Sequence, residues 1–327
     1  MKAYLCKKYG PPQVLQLNEV EKPKPGDNEI LIKVRASTVN AADCNLRGLT
    51  YIPRGLGLTA KMMLGLNKPK KEIQGSVLAG DVVETGNGVK LFRPGDKVFG
   101  TGPELGAYGE YASRTESGAL SIIPENISYE EAASVPYGAL TALYFLQNIA
   151  NIQEGQTILV KGASGGVGVY AVQLAHYFGA EVTGVCSTVN MEFVKSLGAH
   201  KVIDYTKEDF TKSSEKWDII FDVVVKETSF KRIKNSLKPD GIYLAVAGGL
   251  NDMLQMIRTS ISGGKKVKFG GGTACEKRSS LDFIASLLRD GKIKPVIDKV
   301  FAFDEMVEAH TYVESGRKKG NVVISKY

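Results

Sequence analysis

The rhythm of apolar and polar positions changes near Asn126. Before it, short β-rich runs at residues 14–20, 29–39 and 77–84 are separated by breakers such as Pro23-Lys24-Pro25-Gly26 and Arg93-Pro94-Gly95-Asp96. That pattern predicts strands joined by turns. After it, runs of Val, Ile and Leu alternate with amphipathic stretches. The spacing predicts strands over 156–160, 181–185, 201–203, 218–221, 242–246 and 267–269. Helices are predicted from Val169 to about Phe178 and over 190–197. Ser128 and Glu131 form a capping box, so a helix begins there. Apolar strands interleaved with helices indicate a parallel sheet covered on both faces. Further on, 281–289 and 304–314 read as helices and 321–325 as a strand that returns to the first domain. The expected organisation is α/β. A strand-rich, barrel-like domain comprises residues 1–125 and 272–327, and a doubly wound parallel-sheet domain comprises residues 126–271.

Composition adds limits. A chain of 327 residues, 43% hydrophobic and 24% charged, has the size of two globular domains with full cores. The net charge of +7 raises nucleic acid as a partner, but Lys and Arg are scattered. No arginine-rich block or RNA-binding signature stands out, so no nucleic-acid partner is expected. A basic surface still favours an anionic cofactor. The four cysteines, Cys6, Cys44, Cys186 and Cys275, share no CxxC spacing, which argues against a disulfide framework or zinc knuckle. The opening Met1-Lys2-Ala3-Tyr4-Leu5 reads as a strand rather than a signal peptide. No apolar run reaches the roughly 18 residues of a membrane span, so the expectation is a cytoplasmic protein without a transmembrane segment. Residues 51–71 break the pattern, and read equally as a lid or as a packed surface loop.

The sharpest motif is Thr157-Ile-Leu-Val-Lys-Gly-Ala-Ser-Gly-Gly-Val-Gly168, followed by Val169-Tyr-Ala-Val-Gln-Leu-Ala175. A strand runs into a glycine-rich turn and then into a helix. Gly165 and Gly166 let the backbone approach a pyrophosphate, Gly168 lets the helix pack on the strand, and the helix N-terminus favours the anion. Ala163 replaces the first glycine of a GxGxxG motif. Ala163, Ser164, Gly165, Gly166, Val167 and Gly168 are therefore candidate dinucleotide ligands. Selective NAD sites place an acid about 20 residues further on, at the end of the second strand. Here that strand ends in Val185-Cys186-Ser187-Thr188-Val189-Asn190. The neutral donors of Ser187, Thr188 and Asn190 tolerate a 2′-phosphate, which favours NADPH.

With these motifs in place, the chain resembles the zinc-free quinone oxidoreductase branch of the medium-chain dehydrogenase/reductase superfamily. The resemblance rests on Ser37-Thr-Val-Asn-Ala-Ala-Asp43, Ala79-Gly-Asp-Val-Val-Glu-Thr-Gly86, Phe92-Arg-Pro-Gly-Asp-Lys-Val98, Gly109-Glu-Tyr-Ala112, Pro136-Tyr-Gly-Ala-Leu-Thr-Ala142, the glycine turn and Leu197-Gly-Ala199. It implies a GroES-like barrel plus a Rossmann domain with the active site between them, and a homodimer through the Rossmann sheets. It implies that Asn40, Tyr51 and Thr141 contact nicotinamide and substrate, and that Tyr205 packs at the adenosine phosphate. Ala247 and Gly248 would approach the nicotinamide, and Asn321 its ribose. Tyr205 and Asn321 read equally well as turn or core residues. Zinc-dependent relatives carry a catalytic Cys at Asn40 and Gly-His-Glu at Gly75-Ser76-Val77, so no metal site is expected. The strand end Asp222-Val-Val-Val departs from the branch's small, Gly-rich pattern. The expected activity is NADPH-dependent reduction of quinones or related carbonyl compounds. Reduction of enoyl or 2-alkenal double bonds, and an NADPH-binding regulatory protein with little turnover, stand as alternatives.

Overall fold

The computed structural model describes residues 1–49, 62, 64–224, 229–246, 250–270 and 272–326. The chain forms two compact units, one of Met1–Tyr137 with Glu276–Tyr327 and one of Gly138–Cys275.

In the first unit, β1 (Lys2–Cys6) and β2 (Leu15–Glu19) pair antiparallel. The strand expected from residue 14 begins one residue later because a short 3-10 turn, Pro12–Val14, occupies its head. Proline at the start of that turn fixes φ there. Then come β3 (Glu29–Val39), β4 (Val77–Thr85), β5 (Lys97–Thr101), β6 (Tyr111–Thr115) and β7 (Ala119–Ile122). The capping box forms as expected: Ser128 accepts from the Glu131 amide, Glu131 returns to the Ser128 amide, and the helix runs Tyr129–Ser134.

The second unit holds β8 (Thr157–Lys161), β9 (Glu181–Cys186), β10 (Lys201–Asp204), β11 (Trp217–Asp222), β12 (Leu237–Ala245) and β13 (Lys266–Phe269). All pair in parallel, in the order β10-β9-β8-β11-β12-β13. Numbered within the unit this is 3-2-1-4-5-6, the order of a Rossmann sheet, whose switch point lies between β8 and β11. Strand β12 starts five residues before the expected 242. The Pro239-Asp240-Gly241 break is absorbed as an irregularity in register, with Trp217 opposite Leu237 and Ile219 opposite Ile242. Leu159, Val185, Ile203, Trp217, Ile220, Leu237 and Tyr243 build this unit's core.

The chain then returns to the first unit with the helix Arg278–Arg289, β14 (Ile297–Ala302), the helix Met306–Glu314 and β15 (Asn321–Ser325). Strand β15 inserts between β14 and β3, antiparallel to β3, with Val322 opposite Val39 and Ser325 opposite Ala36. Its burial on both sides explains its run of Val and Ile. Among the described residues no helix is long and apolar enough to cross a membrane, and no group of three or more His, Cys, Asp or Glu side chains gathers as a metal site. All four cysteines are buried, and none is in a disulfide among the described residues.

Candidate functional site

The glycine turn leaves β8 at Lys161. Gly162 adopts φ +84, a conformation that side chains rarely take. The amides of Gly162 and Ala163 both donate to the Val185 carbonyl at 3.1 Å, which ties the turn to the end of β9. The helix Gly168–Tyr177 follows, with Val167 at its N-cap and no side-chain cap. A Cβ on Gly168 would lie 2.0 Å from the Gly162 carbonyl oxygen, so only glycine lets the helix seat here. The Val169 amide donates to Gly165 and the Ala171 amide to Val167. The amides of Gly166, Val167 and Gly168 meet no backbone acceptor among the described residues. Three N–H groups at the positive end of a helix, on half-buried backbone, suit an anion. The backbone present therefore fits a diphosphate.

At the end of β9 the side-chain amide of Asn190 donates to Ser164 at 3.3 Å and to Ser187 at 3.2 Å, so three predicted ligands form one cluster. Beside it lies an acid that the sequence reading passed over. Asp204 closes β10 opposite Cys186. Its carboxylate accepts the Thr188 hydroxyl, the Thr206 amide (3.0 Å) and the Thr206 hydroxyl (2.7 Å). Those donors, led by Thr188, hold its pKa down at about 2. The strand-end rule looks along one strand; β9 and β10 bring Asp204 there only through parallel register. Tyr205 follows with its ring exposed. It borders a surface depression of about 600 Å³ that Thr206, Lys207, Asp209 and Lys212 also line.

At the switch point, Asp222 is fully buried and its carboxylate is taken up by Lys161 (3.2 Å), the Tyr243 hydroxyl (3.3 Å) and the Val224 amide (3.0 Å). The departure Asp222-Val-Val-Val thus places a paired acid at the carboxyl ends of β8 and β11. Thr141 is buried on the helix Pro136–Leu143. Tyr51, Ala247 and Gly248 lie outside the described residues.

In the first unit, Asn40 caps the helix Ala41–Gly48. Its Oδ1 accepts from the amides of Ala42 (2.8 Å) and Asp43 (3.1 Å), and its own amide donates to Asp43 at 3.0 Å. That capping box fixes the side-chain amide, and its Nδ2 is left buried without a partner among the described residues. Behind it, the Tyr108 hydroxyl donates to the Thr38 carbonyl (3.4 Å) and lies 3.1 Å from His310 Nε2, while His310 Nδ1 lies 3.6 Å from the Cys44 thiol. The Thr38 carbonyl only accepts and takes the Tyr108 proton, so His310 donates to Tyr108 from Nε2 and accepts from Cys44 at Nδ1. Asn321, at the start of β15, is held by the Val296 carbonyl through its backbone amide (3.0 Å) and side-chain amide (3.2 Å). No sequence motif singles out His310; it is a core residue and part of this network.

Burial pushes Asp43 up to about 7 and His310 down to about 3, the latter helped by Arg47. The unfolded chain takes a proton on His310 near pH 6.5 that the folded chain refuses, so this group's contribution is present above 6.5 and lost as pH falls toward 3. Asp43 works oppositely: its contribution is present below about 4 and lost as pH rises through 7. Between about 4 and 6.5 the two oppose. In H310Q only the Asp43 slope remains, so stability relative to wild type should fall from pH 4.5 to 6.5 by up to about 1.4 kcal/mol per pH unit. Thermal melts across that range check this; parallel profiles would show that His310 does not titrate as an isolated buried base.

Two family models match: the alcohol dehydrogenase GroES-like domain over residues 26–140 and the zinc-binding dehydrogenase model over residues 197–324. The chain is 34% identical to the 2-methylene-furan-3-one reductase of Solanum lycopersicum, covering 99% of this chain and 79% of that protein. It is 33% identical to the mitochondrial NAD(P)H oxidoreductase RTN4IP1 of Mus musculus, over 99% of this chain and 89% of that one. Among solved structures it is similar to the quinone oxidoreductase of Coxiella burnetii, with a TM-score of 0.87, 30% identity and coverage of 100% and 99%.

Proposed function

We propose, from the premise that this chain belongs to the medium-chain dehydrogenase/reductase superfamily and to its zinc-free quinone oxidoreductase branch, that it reduces small quinones or related carbonyl compounds with NADPH. It is an oxidoreductase of the medium-chain reductase type, and a nicotinamide cofactor fits its glycine turn. The observation that carries the reading is that turn, with its three free amides at the head of a ten-residue helix. The absence of an acid at the carboxyl end of β9 supports NADPH.

When bound, the dihydronicotinamide supplies the hydride. The chain's part is to hold and polarise. The 162–168 turn binds diphosphate, with Ala163, Ser164, Ser187, Asn190 and Tyr205 on the adenosine side. Ala247, Gly248 and Asn321 are assigned to the nicotinamide riboside. Asn40 donates its unpartnered Nδ2 to the acceptor's oxygen as charge gathers there, and its burial keeps water away. Tyr51 and Thr141 complete the substrate contacts. Asp222 is committed to Lys161 and Tyr243, and Asp43 to its capping box, so among the described residues we assign no paired carboxylates as acid and base. The proton comes from solvent, a hydroxyl or the cofactor ribose. The neutral donors Asn40 and Ser76 support chemistry without zinc, and four buried cysteines outside any disulfide among the described residues suit a reducing cytoplasm.

Titrating NADPH, then following its oxidation with a quinone and with a 2-alkenal, tests the reading. Turnover on quinones upholds it. Turnover only on the alkenal transfers the assignment to double-bond reduction, a reading favoured by the tomato relative's name. Tight binding with background turnover transfers it to a regulatory protein.

A homodimer through the parallel sheet is part of the proposal. The helix Leu250–Ile261 exposes Met253, Leu254, Ile257 and Ile261, the last at 84%, beside the edge strand β13. Such a stripe is a poor solvent face. We expect a dimer by sedimentation and a monomer for I257R; a monomeric wild type would remove this part.

A further inference from the structure

We propose that Asp204 determines cofactor specificity: through the hydroxyls of Thr188 and Thr206 it makes the adenosine end of the site accept NADH, and so limits the preference for NADPH. The inference rests on the cofactor reading above and adds to it a residue outside the glycine turn.

The argument is one of hydrogen-bond polarity. A hydroxyl has a single proton to donate. An ionised carboxylate only accepts, so both threonine hydroxyls bonded to Asp204 must spend their protons on it. Thr188 and Thr206 lie 3.3 Å apart through those same oxygens. What they show on their other side is lone pairs, with a carboxylate behind them. Lone pairs suit the 2′-hydroxyl of NADH, which donates. They do not suit a 2′-phosphate, which only accepts and carries charge. Ser187, next in sequence to Thr188, joins Asn190 and Ser164 of the turn, which places this pair beside the dinucleotide's ribose end. The cation nearest the carboxylate is Lys207, 3.7 Å away and 70% exposed, so it screens Asp204 only weakly.

D204N reverses the polarity. Its amide oxygen still accepts from the Thr206 backbone, while its NH2 donates to Thr188 and frees that hydroxyl's proton to face outward. The negative charge goes as well. Binding of NADPH and of NADH is measured separately by quenching of the Trp217 emission, or by calorimetry, with thermal melts as a control for folding. D204N should tighten NADPH roughly tenfold relative to NADH, the worth of one charge-assisted hydrogen bond. A second variant tests the pathway: T188A should weaken NADH severalfold and leave NADPH within about twofold, because only the 2′-hydroxyl uses that oxygen. An unchanged NADPH-to-NADH ratio in D204N, or a larger loss for NADPH in T188A, overturns the inference and leaves the cofactor reading standing. Failure of the wild type to bind either dinucleotide overturns both.

Discussion

Substituting Asp for Gly166 should abolish NADPH binding, by at least about a hundredfold in Kd, without unfolding the protein. The loss has two sources. The new carboxylate would occupy the place where the amides of Gly166, Val167 and Gly168 face an anion, and it would repel a diphosphate at close range in a half-buried setting. Stability should hold or rise slightly, because an acid just before the first turn of Gly168–Tyr177 complements the helix N-terminus, which has no side-chain cap. That opposition of signs separates the prediction from misfolding. Gly168→Ala is the contrast: its Cβ would meet the Gly162 carbonyl at 2.0 Å, so binding and stability should fall together. Calorimetric titration of NADPH, paired with a thermal melt, reads both. Wild-type affinity in G166D would remove the turn from the cofactor site.

The second large effect is expected at Asn40. In N40S, kcat/KM should drop by a factor of about 10² to 10³, the usual cost of losing one donor to a developing oxyanion. Serine caps helices about as well as asparagine, so the amides of Ala42 and Asp43 keep an acceptor and the melting temperature should stay close to wild type. What goes is Nδ2, the donor with no partner among the described residues. NADPH affinity should be unchanged, because the diphosphate amides belong to the other unit. Steady-state kinetics with binding measured separately distinguish the outcomes. A KM increase with kcat intact would make Asn40 a ground-state contact only.

Sequence and structure agree where local rules act alone. The Ser128–Glu131 box, the β8-turn-helix unit and the β-branched strands are each specified by neighbours along the chain, and the structure forms them. Asn40, Ser164, and the pair Ser187 and Asn190 were also found as candidates, the first through family resemblance, the second through the glycine-turn motif and the pair through the strand-end rule. What was not legible depends on register and on packing across distant segments. Asp204 reaches Thr188 because β10 lies beside β9 with Asp204 opposite Cys186, and nothing in Ile203-Asp-Tyr205 announces that. His310 and Tyr108 lie far apart in sequence, yet meet behind Asn40 in a core drawn from both ends of the first unit. The strand predicted from 242 begins at Leu237 because parallel pairing to β11 carries it through Pro239-Asp240-Gly241.

The place of β15 between β14 and β3 has a consequence for synthesis on the ribosome. Every strand of the second unit emerges before either β14 or β15, so that unit completes its sheet while the chain is still being made. The end of β3 must wait with the 36–39 stretch of one edge unpaired through the translation of all the residues between, a stretch that includes Ser37, Thr38 and Val39, which β15 later covers. Nascent chains stalled before β15 should therefore hold a folded parallel sheet beside an unfinished, aggregation-prone neighbour.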